Sequence, residues 1–388
     1  MTALARLRRL WLDVHLWIGV GLLVLLIPVS VSGSILVWHD QLDRAMYAER
    51  YAVSGPQAAR PAAEYAAAAE RAFAGRAVLT QIRWPQEAGD PVVAVGRLNG
   101  EPGPGGRPRT LNVWIDPPTA KVLASGETSR SFTMVMHRLH GSLMVPGVGR
   151  KIVGWLGWAM TISCVTGLWL WWPRRGGFTK GLRWRRSPST MFNLHHMAGF
   201  WICLPLAVLS LTGVYISFPQ TSRALFGVEQ PAQRGGGGPG RFAPPVPDPE
   251  LTLAEAVARA QAAAPGAALA SVSLPTRGQE PAWRVQLRTP GAEQPRTVEI
   301  VDATGQAKAG RGGAGGGPDP LSRWMRQVHD GHDMGLVWQV IIFLGGIAPA
   351  VLGVTGFVMW LRRTLRRRRI TRQLAGGPEP AVSPAPGE

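Results

Sequence analysis

The chain has 388 residues, of which 46% are hydrophobic and only 17% are charged, and its formal net charge is +18. Soluble chains carry about 25% charged residues, so this composition predicts a membrane protein. Sixteen Trp against four Tyr agree with that, because indole rings concentrate at membrane interfaces. Cys164 and Cys203 both lie inside apolar runs, which excludes a disulfide framework and an iron–sulfur cluster. The sequence contains no C-x-x-C-H, so covalent haem attachment is excluded as well.

Four uncharged apolar runs predict four transmembrane helices. Each run reaches the roughly 20 residues that cross a hydrocarbon core of about 30 Å. The first is longer than the apolar region of a secretory signal, and no A-x-A cleavage site follows it, so we expect an uncleaved anchor. The runs are Leu16–Trp38, Ile152–Trp172, Met197–Phe218 and Leu336–Leu361.

Basic residues concentrate in three short segments beside these runs. Residues 1–15 contain three Arg against one Asp, residues 173–195 contain six Lys and Arg and no acid, and residues 362–388 contain seven Arg against two Glu. The positive-inside rule places all three in the cytoplasm, which predicts that both termini are cytoplasmic and that segments 39–151 and 219–335 lie outside. Charge beside membrane spans is explained by topology and anionic lipid, so no nucleic-acid partner is predicted.

The two outer segments share one predicted order of elements, a helix followed by short strands, and each is expected to form a small α+β domain. Gly/Pro-rich stretches at 101–108, 235–249 and 309–320 are predicted loops. The first segment has a helical stretch at Ala62–Gly75 and strands at Val78–Trp84, Val92–Leu98, Leu111–Ile115 and Lys121–Ala124. The second has a helical stretch at Leu251–Ala264 and strands at Leu269–Leu274, Trp283–Arg288 and Thr297–Val301.

Each apolar run carries a Ser/Thr-Gly pair, and the spacing from histidine to pair repeats. We interpret the pairs as small residues that let helices approach closely. His15 and His195 lie 17 residues before the pairs of the first and third runs, and His140 and His329 lie 26 residues before those of the second and fourth. The sequence therefore predicts an internal duplication with four partnered histidines. The pairs are Ser32-Gly33, Thr166-Gly167, Thr212-Gly213 and Thr355-Gly356.

The four partnered histidines predict two haem sites at two membrane levels. On straight helices rising about 1.5 Å per residue, His15 and His195 lie about 26 Å from their pairs and near the cytoplasmic face, whereas His140 and His329 lie on the outer side. Two facing imidazoles in a four-helix bundle are the usual axial ligands of b-type haem. We expect two bis-His haems b, with a bend at Pro146–Gly147 or Gly149 bringing His140 towards the membrane. The alternate ligands are His39, His137, His196 and His332.

Two histidine pairs leave a second interpretation open. His137-x-x-His140 and His329-x-x-His332 place two imidazoles on one face if each pair is helical. With Asp330 and Asp333, such a face is suited to a labile Zn, Cu or Ni ion. No G-x-G-x-x-G follows a predicted strand, so no nicotinamide or flavin domain is expected in this chain and the first electron must come from a partner.

Five motifs resemble the PepSY-associated transmembrane helix family, which includes bacterial inner-membrane ferric-siderophore reductases and iron-regulated membrane proteins. The resemblance covers nearly the whole chain, and the two outer segments are similar to PepSY domains. The motifs are Val14-His15-Leu-Trp-Ile-Gly19, Leu139-His140-Gly-Ser-Leu143, Thr166-Gly167-Leu-Trp-Leu-Trp-Trp-Pro173, Leu194-His195-His-Met-Ala-Gly199 and Val328-His329-Asp-Gly-His332.

The resemblance implies a transmembrane electron conduit. A cytoplasmic or quinol donor supplies electrons on one side, and Fe(III) in a periplasmic chelate, such as a ferric siderophore, is reduced on the other. The chain departs from the family pattern after the first span, where His39-Asp40 leaves a fifth outer ligand open. PepSY domains are also associated with protease inhibition, so a membrane-tethered regulator or metal-binding protein without redox activity is the alternative.

The expected fold is an α-helical membrane protein, a four-helix transmembrane bundle with two small α+β PepSY-like periplasmic domains, internally duplicated, in the bacterial inner membrane. The division is an N-terminal tail and first helix at 1–38, a PepSY-like domain at 39–130, an outer histidine segment and second helix at 131–172, a basic cytoplasmic loop at 173–195, the third helix at 196–218, a second PepSY-like domain at 219–320, an outer histidine segment and fourth helix at 321–361, and a basic cytoplasmic tail at 362–388.

Overall fold

The computed structural model describes residues 2–103, 106–173, 177–227, 243–278, 280–289, 291, 295–309 and 319–375. Arg174, Arg175 and most of the predicted loops at 235–249 and 309–320 lie outside the described residues. The helices are α1 (Ala3–Gly21), α2 (Leu23–Val37), α3 (His39–Met46), α4 (Ala62–Phe73), α5 (Phe132–Ser142), α6 (Gly149–Trp171), α7 (Phe178–Gly181), α8 (Thr190–Ser217), α9 (Pro219–Leu225), α10 (Leu253–Ala262), α11 (Pro320–Asp330) and α12 (Gly335–Ala375). The strands are β1 (Ala77–Arg83), β2 (Val92–Leu98), β3 (Thr110–Ile115), β4 (Val122–Glu127), β5 (Ala268–Ser273), β6 (Ala282–Arg288), β7 (Arg296–Val301) and β8 (Ala307–Ala309).

The chain divides into two compact units. The first, the span unit, comprises Met1–Ser34, Ile152–Val214 and Val328–Glu388. The second, the sheet unit, comprises Ile35–Lys151 and Tyr215–Gln327. The chain passes from one unit to the other within α2, α8 and α11 and near the start of α6.

The span unit contains the predicted membrane helices, with one correction. Among the described residues, α6, α8 and α12 are long and apolar enough to cross a membrane, and α1 with α2 makes a fourth span if the bent pair is counted as one. The two helices of that pair meet at an angle of 69°, so the prediction of one straight first helix was wrong. Gly21, a weak helix former, ends α1, and Pro28 lies inside α2, where it has no N–H to donate. The rise of about 26 Å estimated from His15 to Ser32 therefore does not apply.

Glycines let the membrane helices of the span unit approach closely, as expected for packing in lipid. A Cβ on Gly157 would lie 2.8 Å from Val214 Cγ2, and a Cβ on Gly345 would lie 2.8 Å from Leu209 Cδ1. Ser34 donates a hydrogen bond of 2.9 Å to the carbonyl of Phe343, which ties α2 to α12. These contacts place α8 against both α6 and α12.

The sheet unit is built on one antiparallel sheet of eight strands, in the order β4-β3-β2-β1-β5-β6-β7-β8. The helix and strand positions predicted in both outer segments are confirmed to within a few residues. The two segments share this sheet, because β1 pairs with β5 through Ile82 and Val272. They also share one hydrophobic core beneath α4 and α10, whose members include Tyr65, Phe73, Leu287 and Ile300.

A buried aspartate holds the turn after the third strand of each segment. Asp116 accepts hydrogen bonds from the backbone N–H of Ser54 at 2.7 Å and from its hydroxyl at 2.6 Å, and another from Thr119. Asp302 accepts from the N–H of Leu251 at 3.2 Å and from the indole of Trp283 at 2.8 Å. Burial acts to raise the pKa of Asp116, but the hydrogen bonds from Ser54 and Thr119 outweigh it and lower that pKa below its ordinary value.

Candidate functional site

The structure brings His15 and His195 together within the span unit. His15 lies on α1 and His195 near the start of α8. Their imidazole centroids are 6.2 Å apart and the ring planes are perpendicular, at 89°. Both residues are half-buried. Two imidazoles from two different helices therefore face a common position.

Each of these rings is hydrogen-bonded to a threonine on another helix. Nδ1 of His15 lies 3.0 Å from Thr166 Oγ1 on α6 and 3.1 Å from the carbonyl of Ser163. Nδ1 of His195 lies 3.0 Å from Thr355 Oγ1 on α12. Hydrogen bonds with α6 and α12 thus orient the imidazole rings of His15 and His195.

His329 has the same environment elsewhere in the span unit. Its Nδ1 lies 3.0 Å from Thr212 Oγ1, near the end of α8. The 17 residues of α8 from His195 to Thr212 correspond to a rise of about 26 Å. His329 therefore lies at the opposite end of α8 from the pair formed by His15 and His195.

A glycine follows each of these threonines and makes room for the ring. A Cβ would lie 3.1 Å from His15 Cε1 if placed on Gly167, 3.2 Å from His329 Cε1 on Gly213, and 3.4 Å from His195 Cε1 on Gly356. The sequence interpretation of the Thr-Gly pairs as helix-packing residues thus missed the contact that they make. The repeated spacing drew attention to these pairs, but it joined each pair to the histidine that precedes its own apolar run. In the structure each Thr-Gly pair contacts a histidine that precedes a different run.

His140 lies near the end of α5, before a break in the chain. Leu143 and Met144 have φ values of 50° and 60°, and Gly147 has 77°. A Cβ on Gly149 would overlap the Ser142 carbonyl, so only glycine fits at the start of α6. The helix is broken between α5 and α6, at the position where a bend was predicted; that this break brings His140 towards the membrane stays a prediction. His140 belongs to the sheet unit and His329 to the span unit, so the pairing of these two remains a sequence prediction.

Three alternate ligands lie in exposed positions. His137 is exposed on α5, and His39, the first residue of α3, lies 3.6 Å from Asp40. His332 follows the end of α11 and lies 3.4 Å from Asp333. The expectation that His329 and His332 share a helix face was wrong, because α11 ends at Asp330. Among the described residues no group of three or more His, Cys, Asp and Glu is placed to hold a metal ion.

His196, the remaining alternate, contacts the loop between α6 and α8. Its Nε2 lies 3.0 Å from the carbonyl of Gly181 and 2.9 Å from the Arg186 guanidinium. Its ring is stacked between Trp171, at 5.8 Å, and Phe192, at 5.7 Å. These contacts engage Nε2 and both ring faces, so the structure shows His196 packed against this loop.

The fold and site define a membrane protein with several apolar helices, a separate antiparallel sheet and histidines between its spans. The family model described as PepSY-associated TM region matches residues 12–363. The chain belongs to this family, as its five motifs predicted. No curated protein matches the chain.

Proposed function

We propose that this protein is a transmembrane electron conduit with two b-type haems that reduces Fe(III) in a periplasmic chelate, such as a ferric siderophore. The observation that carries the proposal is the pair of perpendicular imidazoles of His15 and His195, whose centroids are 6.2 Å apart. A haem held by these two histidines would supply reversible one-electron transfer.

The two rings lie close enough for one metal ion to bind both. An imidazole–metal bond is about 2.0–2.1 Å long, and the ring centroids are 6.2 Å apart. His15 and His195 would then hold the inner haem and link α1 to α8.

Two glycines leave space on the same helix faces as these histidines. Gly19 and Gly199 each lie four residues after their histidine, and residues four apart share a helix face. Among the described residues, a Cβ on Gly19 would meet no atom within 4 Å, and a Cβ on Gly199 would approach Leu352 Cδ2 at 3.9 Å. A planar cofactor beside the imidazoles needs this kind of space.

The reaction in this proposal moves one electron from the inner to the outer side. A cytoplasmic or quinol donor supplies it, and Fe(III) in the chelate accepts it to become Fe(II). Chelators with hard oxygen donors hold Fe(III) more firmly than Fe(II), so one electron loosens the complex. The chain's residues contribute the axial ligands and an apolar bundle that excludes water from them.

The proposed outer haem uses His140 and His329, which hold the same place in the repeat. We propose a location in the bacterial inner membrane, with both termini cytoplasmic and the sheet unit periplasmic, because three basic segments lie beside the spans. In this proposal the chain arose by internal duplication. The repeated order of helix and strands on either side of the β1–β5 pairing supports that origin.

An optical spectrum of the purified protein before and after dithionite tests the proposal. We expect the sharp bands of reduced low-spin b-type haem and a pyridine-haemochrome assay that gives two haems per chain. In proteoliposomes with reductant inside, an Fe(III) chelate added outside should yield Fe(II). A colourless protein would overturn the proposal and favour a membrane-tethered PepSY regulator without redox activity.

A further inference from the structure

Three threonine hydroxyls in the span unit donate their proton to their own helix. Thr166 donates to the carbonyl of Ile162 at 2.9 Å, Thr212 to that of Val208 at 2.8 Å, and Thr355 to that of Val351 at 2.9 Å. A hydroxyl has a single proton. Once that proton is given to the carbonyl, the oxygen serves the neighbouring imidazole only as an acceptor.

We therefore assign the hydrogen to the histidine nitrogen that faces each hydroxyl. Nδ1 lies 3.0 Å from the threonine oxygen in His15, His195 and His329. For His15 a second contact requires the same assignment, because the Ser163 carbonyl at 3.1 Å can only accept. A neutral imidazole has one N–H, so in this tautomer the Nε2 atom carries the lone pair.

We propose that Thr166, Thr212 and Thr355 are positioning residues, each of which holds its histidine in the Nδ1–H tautomer so that Nε2 is presented to iron. The inference rests on the proposed function for the identity of the ion, whereas the tautomer follows from the hydrogen bonds alone. Partners of this kind, on the far nitrogen of a ligating histidine, set ring orientation and ligand basicity, and their loss typically weakens binding 10- to 100-fold.

The glycine after each threonine completes the arrangement by fixing where the ring lies. A Cβ on Gly167 or Gly213 would lie 3.1 or 3.2 Å from the imidazole Cε1, so a methyl group there must move the ring by a few tenths of an ångström, whereas the 3.4 Å at Gly356 is close to ordinary contact. Ser32, in the fourth pair, also directs its hydroxyl to its own helix, with the carbonyls of Pro28 and Val29 at 2.5 and 3.1 Å. In the three Thr-Gly pairs the hydroxyl therefore sets the tautomer and the glycine limits where the ring can lie.

Thr355→Val tests the hydroxyl, because valine keeps the shape of threonine and removes the acceptor. Thr355→Ser is the matched control, because it keeps the oxygen. The full-length protein is labelled with ¹⁵N-histidine, prepared without added haem, and its His195 signals are assigned by their loss in His195→Gln. We expect the Nδ1–H tautomer in wild type and Thr355→Ser, and a shift towards Nε2–H in Thr355→Val. An unchanged tautomer in Thr355→Val overturns the inference.

The midpoint potential of the haem-loaded protein gives a second readout. Loss of the hydrogen bond makes the imidazole less basic, which weakens its hold on Fe(III) more than on Fe(II), so the potential should rise in Thr355→Val and not in Thr355→Ser. A tenfold change in that preference corresponds to about 59 mV. A wild-type potential in Thr355→Val would also contradict the inference. If the protein binds no haem but its tautomer shifts as expected, the positioning role stands and the proposed function fails.

Gly167→Ala tests the contribution of the glycine. We expect its affinity for haem, measured by titration, to fall about tenfold, because a Cβ there would lie 3.1 Å from His15 Cε1 and must displace the ring. Gly177→Ala is the control, since a Cβ there meets no described atom within 4 Å. Equal haem affinity in the two variants would contradict the inference that the glycine limits where the imidazole ring can lie.

Discussion

Thr212 and His329 are 117 residues apart in the sequence, yet Thr212 Oγ1 lies 3.0 Å from His329 Nδ1. The hydroxyl is near the end of α8, and the histidine is on α11, just before the last span. The orientation of this imidazole therefore depends on the contact between its own segment and α8, and not only on the helix that carries it. The same holds for His15 against α6 and for His195 against α12.

His15→Ala or His195→Ala should remove the inner haem and leave the outer one, because loss of one axial ligand leaves iron with a single protein bond. His140→Ala or His329→Ala should do the reverse. Haem per chain, measured by pyridine haemochrome, should fall by about half in each case. His332→Ala is the control and should retain both haems.

Retention of all haem in His15→Ala would refute the assignment of the inner pair. Loss of the outer haem in His137→Ala but not in His140→Ala would show that the outer ligand is His137, one helical turn before His140.

Gly19→Leu should block haem binding beside His15 while the protein still folds. A Cβ on Gly19 meets no described atom within 4 Å, so the polypeptide itself has room for the larger side chain. The leucine would extend along the face of α1 that carries His15 and fill the space that the proposal gives to the cofactor. Haem content compared with circular dichroism checks this expectation, with Gly177→Leu as the control. A folded Gly19→Leu protein with full haem content would place the cofactor elsewhere.

Much of the fold could be predicted from local patterns, whereas contacts between distant segments could not. A short stretch rich in valine placed β2 at Val92–Leu98, as observed, because that signal lies within one strand. The β1–β5 pairing joins residues far apart in sequence, and no local pattern encodes it. The histidine spacing predicted that His15 and His195 pair, and their rings lie 6.2 Å apart. The threonine that each imidazole contacts could not be found, since it belongs to another span.

Gly149→Ala should destabilise the turn that follows His140. A Cβ there would overlap the Ser142 carbonyl and lie 2.8 Å from its carbon, so α5 would have to move away from the start of α6. Overpacking of this kind typically costs about 1–3 kcal/mol, which should appear as a lower melting temperature. Gly141→Ala is the matched control, because its Cβ meets no described atom within 4 Å and alanine favours the helix. Equal melting temperatures in the two variants would show that the turn adapts.

Asp116→Asn should destabilise the sheet unit at neutral pH, and the difference from wild type should vanish in acid. Hydrogen bonds from Ser54 and Thr119 lower the pKa of Asp116 against the opposing effect of burial. Its stabilisation is therefore present above the unfolded pKa of about 3.9 and is lost as the pH falls through the folded pKa. Hydrogen bonds to a charged group contribute about 1.5–3 kcal/mol. The free energy of unfolding measured from pH 7 down to about pH 1, with the exposed Asp248→Asn as control, checks the result. A difference between variant and wild type that is as large at the acid end as at pH 7 would contradict it.

Cysteine labelling should place the sheet unit outside and the basic loop at 173–195 inside. Ala88 and Ala303 are exposed in turns of the sheet unit, and Arg183 is exposed in the basic loop. A maleimide that does not cross the bilayer should label Ala88→Cys and Ala303→Cys in intact spheroplasts, and Arg183→Cys only after lysis. Wild type provides the background, because Cys164 and Cys203 lie within α6 and α8. The expectation rests on positive charge being retained on the cytoplasmic side. Labelling of Arg183→Cys in intact spheroplasts would reverse the orientation and, with it, the direction of electron flow that we propose.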